Sequence, residues 1–71
     1  MDDPTLISPR ESRALSGGIS DSTQRRLIDR GDYPEPVVLS RTASGRPARV
    51  AFIKGEVLAW CRHRIEADRS A

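Results

Sequence analysis

Two sets of helix start and stop signals, close together at the beginning of the chain, constrain the fold most strongly. In the first set, Ser8 is a favourable N-cap, Pro9 suits the first helical position and Glu11 can reach back to the N-cap amide. Gly17 and Gly18 end this helix after about two turns, because glycine tolerates the left-handed dihedral angles of a tight reversal. The sequence therefore predicts a short first helix followed by a sharp turn.

A second short helix begins almost at once. Ser20 is a good N-cap, Asp21 suits the positive end of the helix dipole, and Gly31 is a natural residue to end the helix. Two short helices joined by only three or four residues are typical of a helix-turn-helix. The inward-facing positions are expected to be Ala14 and Leu15 in the first helix and Ile19, Leu27 and Ile28 in the second, with Leu6 or Ile7 packed against the start. Exposed positions of the second helix are then Ser22, Arg25, Arg26 and Asp29, with Thr23 half-buried.

The middle of the chain changes from helical to β-favouring sequence. Pro34 and Pro36 forbid a helix, and Val37–Leu39 and Arg49–Phe52 are short runs that favour strands. Between them lie small residues and turn formers, with Gly45 at the tip. This pattern predicts a two-stranded hairpin with a loop of about eight to ten residues.

The last predicted element is a helix over residues 54–67. Its apolar residues recur at helical spacing, which places Val57, Leu58, Cys61 and Ile65 inward, with Trp60 on the neighbouring strip. We therefore expect an α+β fold of two short N-terminal helices, a two-stranded hairpin and a C-terminal helix. The domain covers residues 6–67, between a disordered N-terminus over 1–5 and a frayed C-terminus over 68–71.

Composition excludes several classes of function. No apolar run approaches the roughly 20 residues of a membrane span, and the acidic start is not that of a signal peptide. The single cysteine, Cys61, rules out an internal disulfide and fits the reducing cytoplasm. A lone cysteine on the inward side of a helix is most often a small core residue. One histidine, His63, gives no metal-ligand pattern, and no phosphate-binding glycine loop is present. We expect no enzymatic activity, no cofactor, no metal and no small-molecule ligand.

The distribution of charged residues along the chain, rather than the net charge, indicates a nucleic acid as the binding partner. The net charge is only +2, but residues 41–64 hold six basic side chains and one acidic side chain. In the second helix, Ser22 and Thr23 can reach phosphates or base edges, and Arg25 and Arg26 carry the planar fork that pairs with guanine. The alternative is that both arginines are surface charges paired with neighbouring aspartates. The helix-turn-helix context and the basic hairpin favour double-stranded DNA as the partner.

Several segments, in order, resemble the AlpA-type prophage regulators. Residues 17–23 (Gly-Gly-Ile-Ser-Asp-Ser-Thr), 26–28 (Arg-Leu-Ile) and Gly31 are similar to the signature that family has in its second helix. Residues 33–37 (Tyr-Pro-Glu-Pro-Val) resemble its aromatic-Pro-x-Pro-Val segment. Further matches are Gly45-Arg46, the strand Arg49-Val50-x-Phe52, and Glu56-Val57-x-Ala59-Trp60. The resemblance covers residues 6–65, which is nearly the whole chain.

This resemblance implies a winged helix-turn-helix of the MerR-like and excisionase-like group. Such proteins bind DNA near phage or integrative-element genes, as transcriptional regulators or as excisionases that bend DNA for an integrase. By position, the recognition helix is residues 21–30, with Ser22, Thr23, Arg25 and Arg26 as DNA contacts. The wing is residues 39–50, where Arg41, Arg46 and Arg49 are expected to contact phosphates or a minor groove.

The chain departs from the family pattern at four positions. Gln24 stands at a usually aliphatic core position, Ser12 at a commonly apolar position of the first helix, and Arg25 where tyrosine is frequent. Asp21 replaces a residue that is often basic, which would weaken contact with phosphate at that point.

A second hypothesis is a protein-interaction module that keeps the winged fold with little or no DNA binding. It rests on the acidic residues Asp21, Asp29 and Asp32, which repel phosphate, and on Trp60 and Cys61 in a helix that could pair with another copy. The two hypotheses are compatible, because one small module buries too little DNA surface for high specificity and would gain from a homodimer or a cooperative array.

Overall fold

The computed structural model describes residues 3–70 as three helices and one three-stranded antiparallel sheet. The elements along the chain are β1 (Leu6–Ile7), α1 (Pro9–Leu15), α2 (Asp21–Asp29), β2 (Val37–Arg41), β3 (Pro47–Ile53) and α3 (Lys54–Ser70). Strand β3 lies in the middle of the sheet, between β1 and β2. The small α+β architecture with three helices agrees with the sequence, whereas the expected number of strands does not.

The additional strand, β1, corrects the expectation of a two-stranded sheet. Leu6 pairs with Ile53 and Ile7 pairs with Phe52, so the segment expected to pack only on the start of α1 also forms a sheet edge. This pairing buries Ile7, which is 7% exposed, beside Phe52. A two-residue strand is too short to show the alternation of apolar and polar residues by which strands are recognised.

The β2–β3 hairpin has longer strands and a shorter loop than the sequence predicts. Its loop is the five-residue segment 42–46, rather than eight to ten residues. Two hydrogen bonds close this loop: the Thr42 amide donates to the Arg46 carbonyl (2.8 Å), and the Arg46 amide donates to Thr42 Oγ1 (3.2 Å). Backbone pairing extends both strands through small and polar residues, because the ladder bonds do not depend on side-chain type.

The cap signals of the two short helices are confirmed. Ser8 Oγ accepts from the Glu11 amide and the Glu11 carboxylate accepts from the Ser8 amide, which completes a capping box. Ser20 Oγ accepts from the Thr23 amide at the start of α2. Gly31, with a φ of 74°, follows the last turn of α2 in the left-handed conformation that favours glycine.

The core is small and is built around aromatic rings. Its buried members are Ile7, Tyr33, Phe52 and Val57, against which Ile19, Leu27, Ile28, Trp60 and Cys61 are packed. The inward stripe predicted for the second helix is therefore confirmed. The Tyr33 ring lies edge-on to Phe52 and to Trp60, with ring centroids 5.5 Å and 4.8 Å apart.

Helix α1 turns a different face inward from the one predicted. Ala14 is exposed and Leu15 is 42% exposed, whereas Ser12 is fully buried and Ser16 is half-buried. Ser12 and Ser16 lie one helical turn apart and so share a face. That face can be buried because both hydroxyls have hydrogen-bond partners: Ser12 Oγ donates to the Pro9 carbonyl of the same helix (2.8 Å), and Ser16 Oγ lies 2.9 Å from the Tyr33 hydroxyl.

Helix α3 packs on the core only over its first half. Val57 is fully buried, but Leu58 is 39% exposed and Ile65 is 53% exposed, so the expectation that both face inward is wrong. Every side chain of residues 62–70 is exposed. The helix also continues to Ser70, three residues beyond the predicted end. Its second half leaves the core because no other element of residues 3–70 extends far enough to cover it.

The segment before β1 supplies the first turn of α3 with hydrogen-bond acceptors. The Lys54 amide donates to the Thr5 carbonyl (2.8 Å) and the Gly55 amide donates to the Asp3 carbonyl (2.9 Å). Hydrogen bonds from the Thr5 side chain and amide lower the pKa of the Asp3 carboxyl. The sequence predicts disorder over residues 1–5. Of these, 1 and 2 lie outside the described part of the chain, whereas Asp3 and Thr5 hold the start of α3 through these hydrogen bonds.

Gly55 is the position at which this N-terminal segment can be tested. A Cβ atom at position 55 would lie 2.5 Å from the Asp3 nitrogen and 2.9 Å from the Asp3 oxygen. We expect Gly55→Ala to destabilise the protein by about 1–3 kcal/mol in urea denaturation, as overpacking does elsewhere. In a chain that starts at Thr5 the clash is gone, and the same substitution should stabilise α3 by up to about 1 kcal/mol. Equal effects in both backgrounds would contradict the contact.

Candidate nucleic-acid interface

The outward face of α2 carries the side chains predicted to contact DNA. Ser22, Arg25 and Arg26 are exposed, together with Asp29, as the sequence predicts. Thr23 is half-buried, also as predicted, so less of its hydroxyl is accessible to a ligand. The apolar side of α2 packs on the core through Leu27 and Ile28. Packing on one side thus leaves the polar side of the helix facing solvent.

The hydroxyl groups at the start of α2 form a connected cluster. Ser20 Oγ donates to Thr23 Oγ1 (2.9 Å) and lies 3.2 Å from Ser22 Oγ. It also accepts from the Thr23 amide at 3.1 Å. The amides of Asp21 and Ser22 have no acceptor within residues 3–70, as is usual for the first turn of a helix. These amides and the Ser22 hydroxyl are available to a phosphate oxygen.

Asp21 lies between two guanidinium groups. Its carboxylate is 3.5 Å from Arg13 Nη1 on α1 and 3.2 Å from Arg25 Nε one turn along α2. The negative charge that would repel phosphate is therefore compensated on two sides. Arg13 was not identified from the sequence, because its proximity to α2 arises only from the packing of the two helices. None of the ion pairs found among residues 3–70 involves Arg26.

A buried polar contact fixes α2 against α1. Gln24 is 3% exposed and its Nε2 donates to Ser12 Oγ at 2.7 Å. Gln24 Oε1 accepts from Arg13 Nη1 at 3.3 Å, so both ends of the amide have partners. Gln24 and Ser12 are two of the positions at which the chain departs from the family pattern. The two departures contact each other, so a polar pair occupies a place where two apolar side chains are expected.

The second group of predicted DNA contacts lies on the β2–β3 hairpin. Arg41 ends β2, Arg46 is the last residue of the loop, and Arg49 lies in β3; all three are exposed. Arg41 Nη1 donates to the Gly45 carbonyl (2.9 Å), so this side chain folds over the loop. None of the three arginines belongs to an ion pair found within residues 3–70.

The predicted contacts form two groups rather than one continuous cluster. One group lies along α2 and the other on the hairpin, and no hydrogen bond or ion pair of the described chain joins them. The molecule is elongated, with extents of 47 × 25 × 18 Å.

Neither a metal-binding cluster nor a membrane-spanning helix is found within residues 3–70. Here no three or more His, Cys, Asp or Glu side chains lie together in a way that could hold a metal ion. No helix in this part of the chain is both long and apolar enough to cross a membrane. The chain matches no family model, no curated protein and no solved structure. Membership of the AlpA-type family therefore stays a prediction from sequence motifs.

The buried pair between α1 and α2 yields a prediction about stability. Ser12→Ala leaves Gln24 Nε2 without its closest partner, and should lower the free energy of unfolding by about 1–3 kcal/mol. Adding Gln24→Leu removes the stranded amide and restores an apolar contact. The double variant should therefore lose clearly less stability than the two single variants combined, by at least about 0.5 kcal/mol in urea denaturation. Strict additivity would contradict a direct interaction between the two side chains.

Proposed function

We propose that the protein binds double-stranded DNA as a winged helix-turn-helix, with α2 in the major groove and the β2–β3 hairpin on the backbone or in the minor groove. The observation that carries this proposal is the solvent-facing side of α2. It presents Ser22, Arg25 and Arg26 next to a helix N-terminus whose first amides have no acceptor within residues 3–70. Hydroxyls and free amides of this kind position a protein on phosphates, and arginines in the groove recognise bases.

The two arginines of α2 are suited to different tasks. Arg25 is held by Asp21, so its guanidinium is oriented along the helix and leaves fewer donors free. Arg26 has no acidic partner in the described chain and keeps all five N–H donors available. A bidentate contact with O6 and N7 of guanine uses two of these donors, and on Arg26 no acid of the described chain competes for them. We assign the base contact to Arg26 and a positioning contact to Arg25.

The hairpin supports the proposal through its charge. Residues 39–50 contain three arginines and no acidic residue, and nearly all of these positions are exposed. Because protein acids do not neutralise these charges within residues 3–70, phosphate groups can do so, with release of counterions from the DNA. The hairpin would add affinity for DNA of any sequence, whereas α2 would supply the preference for one particular DNA sequence.

The biological role that fits the resemblance to AlpA-type proteins is regulation at a phage or integrative element. The chain would act there as a transcriptional regulator or as an excisionase that bends DNA for an integrase, in the cytoplasm of a bacterium. Both tasks use the same DNA-binding surface. They differ in the consequence of binding, which is a change in transcription in one case and a bend in the duplex in the other.

Fluorescence anisotropy tests whether the protein binds DNA. The labelled duplex comes from the region flanking the gene that encodes this protein, a scrambled duplex serves for comparison, and both are titrated at two salt concentrations. Arg26→Ala should weaken binding to the flanking DNA by about 1–3 kcal/mol and leave binding to the scrambled duplex almost unchanged. Arg46→Ala should weaken binding to both duplexes and reduce the salt dependence by about one unit.

Arg69→Ala is the matched control for both variants. It removes the same charge from the exposed end of α3, away from α2 and the hairpin. The affinity of this variant for both duplexes should stay within about two-fold of that of the unchanged protein, since a distant exposed charge contributes little to DNA binding. If Arg26→Ala and Arg46→Ala behaved like this control, the assignment of the interface would be wrong. Absence of binding to either duplex at low salt would refute the proposed function itself.

A further inference from the structure

Asp29 places a carboxylate on the solvent-facing side of α2, beside the residues proposed to contact DNA. Its side chain is exposed, as are those of Ser22, Arg25 and Arg26. Positions 22, 26 and 29 follow one another at intervals of four and three residues, so they share a helix face, opposite the side that packs on the core. A negative charge therefore lies within the surface that carries the proposed DNA contacts.

No basic side chain of the described chain neutralises Asp29. Arg25, four residues earlier, is held instead by Asp21 at 3.2 Å. Arg26, three residues earlier, stands at a spacing that permits an ion pair along a helix, yet none is found within residues 3–70. The side-chain hydrogen bonds found for α2 do not include Asp29 either. Its carboxylate is thus left facing solvent.

The position of Asp29 along α2 is unfavourable for an acid. Asp29 is the last residue of the helix, where the carbonyl ends of the peptide dipoles disfavour a negative charge. Residues that oppose a local rule of stability in this way are found chiefly at functional surfaces. A role in binding would explain why an acid stands there.

A carboxylate in the major groove of DNA has few groups that it can contact favourably. Phosphate oxygens repel it, and N7 and O6 of guanine and O4 of thymine are hydrogen-bond acceptors, as the carboxylate is. The donors on the base edges are the amino groups of cytosine (N4) and adenine (N6). In adenine the amino group lies beside the acceptor N7, which repels an ionised carboxylate, whereas cytosine has no acceptor on its own edge. The chemistry of Asp29 therefore favours cytosine.

The spacing between Arg26 and Asp29 fits neighbouring base pairs. Three residues of α-helix rise by about 4.5 Å, and successive bases along one DNA strand are about 3.4 Å apart. In zinc-finger helices, side chains at three-residue intervals contact successive bases. Arg26 is the residue assigned above to guanine, so Asp29 would lie against the base pair next to that guanine.

We propose that Asp29 is a specificity-determining residue, whose carboxylate accepts a hydrogen bond from N4 of a cytosine in the base pair next to the guanine contacted by Arg26. The assignment presupposes the proposed function, since it requires α2 to lie in the major groove. An acid that only repelled phosphate would lower the affinity for every DNA sequence equally. The contact proposed for Asp29 instead makes the affinity depend on the base at one position.

Competition anisotropy with the full chain measures this dependence. The labelled duplex comes from the region flanking the gene that encodes this protein, and each unlabelled competitor carries one exchanged base pair. The unchanged protein should bind about ten-fold more weakly when the cytosine contacted by Asp29 is replaced. Asp29→Ala should lose the discrimination at that base pair and keep it at the others. Asp29→Asn should prefer adenine there, because an amide pairs with N6 and N7 of adenine.

Asp68→Asn is the matched control, because it removes the same charge from the exposed end of α3 and should leave every base preference unchanged. Circular dichroism checks that all variants are folded. If Asp29→Ala and Asp29→Asn changed the affinity for all competitors by one common factor, the assignment of Asp29 would be overturned while DNA binding would stand. If the unchanged protein bound no duplex at low salt, the proposed function would be refuted, and the assignment with it.

Discussion

The buried ring of Tyr33 is the contact on which the arrangement of the other elements depends. Its edge meets Phe52 of β3 and Trp60 of α3, and its hydroxyl lies 2.9 Å from Ser16 Oγ at the end of α1. The Trp60 indole donates in turn to the carbonyl of Asp32, the residue just before Tyr33. Tyr33 lies in the linker between α2 and β2. Its buried side chain therefore anchors both the end of the helix pair and the start of the hairpin to the core. The two elements that we propose to contact DNA are thus anchored at the same point of the core.

A chain of 71 residues has too little apolar surface to position every element by packing alone, and specific polar contacts complete the task. Ser12 and Gln24 join α1 to α2 in the interior, and Asp21 joins the same two helices at the surface through Arg13. Among the described residues that are not exposed, no buried side-chain nitrogen or oxygen is left without a partner. Such contacts depend on specific geometry, and they hold α2 in one position relative to α1.

Local signals predict the helix boundaries and the exposed face of α2 well, because caps and glycine stops act within a few residues. Non-local effects are predicted poorly. The pairing of β1 with β3 depends on residues far apart in sequence, and a two-residue strand has no pattern of its own. Ser12 and Gln24 each look unfavourable in the core when considered alone, and only their contact explains them.

Tertiary packing also decides two features of the surface that no local pattern reveals. The apolar spacing of α3 predicts core positions along the whole helix. Leu58 is nevertheless exposed although it follows the fully buried Val57, and Ile65 is exposed because it lies in the half of α3 that projects beyond the core. The role of Arg13 beside Asp21 depends on how α1 packs against α2, and neither residue signals it in the sequence.

The central claim is that α2 and the β2–β3 hairpin form the surface that meets DNA, and amide chemical-shift mapping tests it most directly. A ¹H–¹⁵N spectrum of the full chain would be recorded during titration with a duplex from the region flanking the gene. We expect the largest shifts at residues 20–26 and 41–49, with much smaller changes over 5–8 and 50–53, where the sheet pairs β1 with β3. Shifts concentrated on residues 54–70 instead, or no shifts at low salt, would contradict the claim.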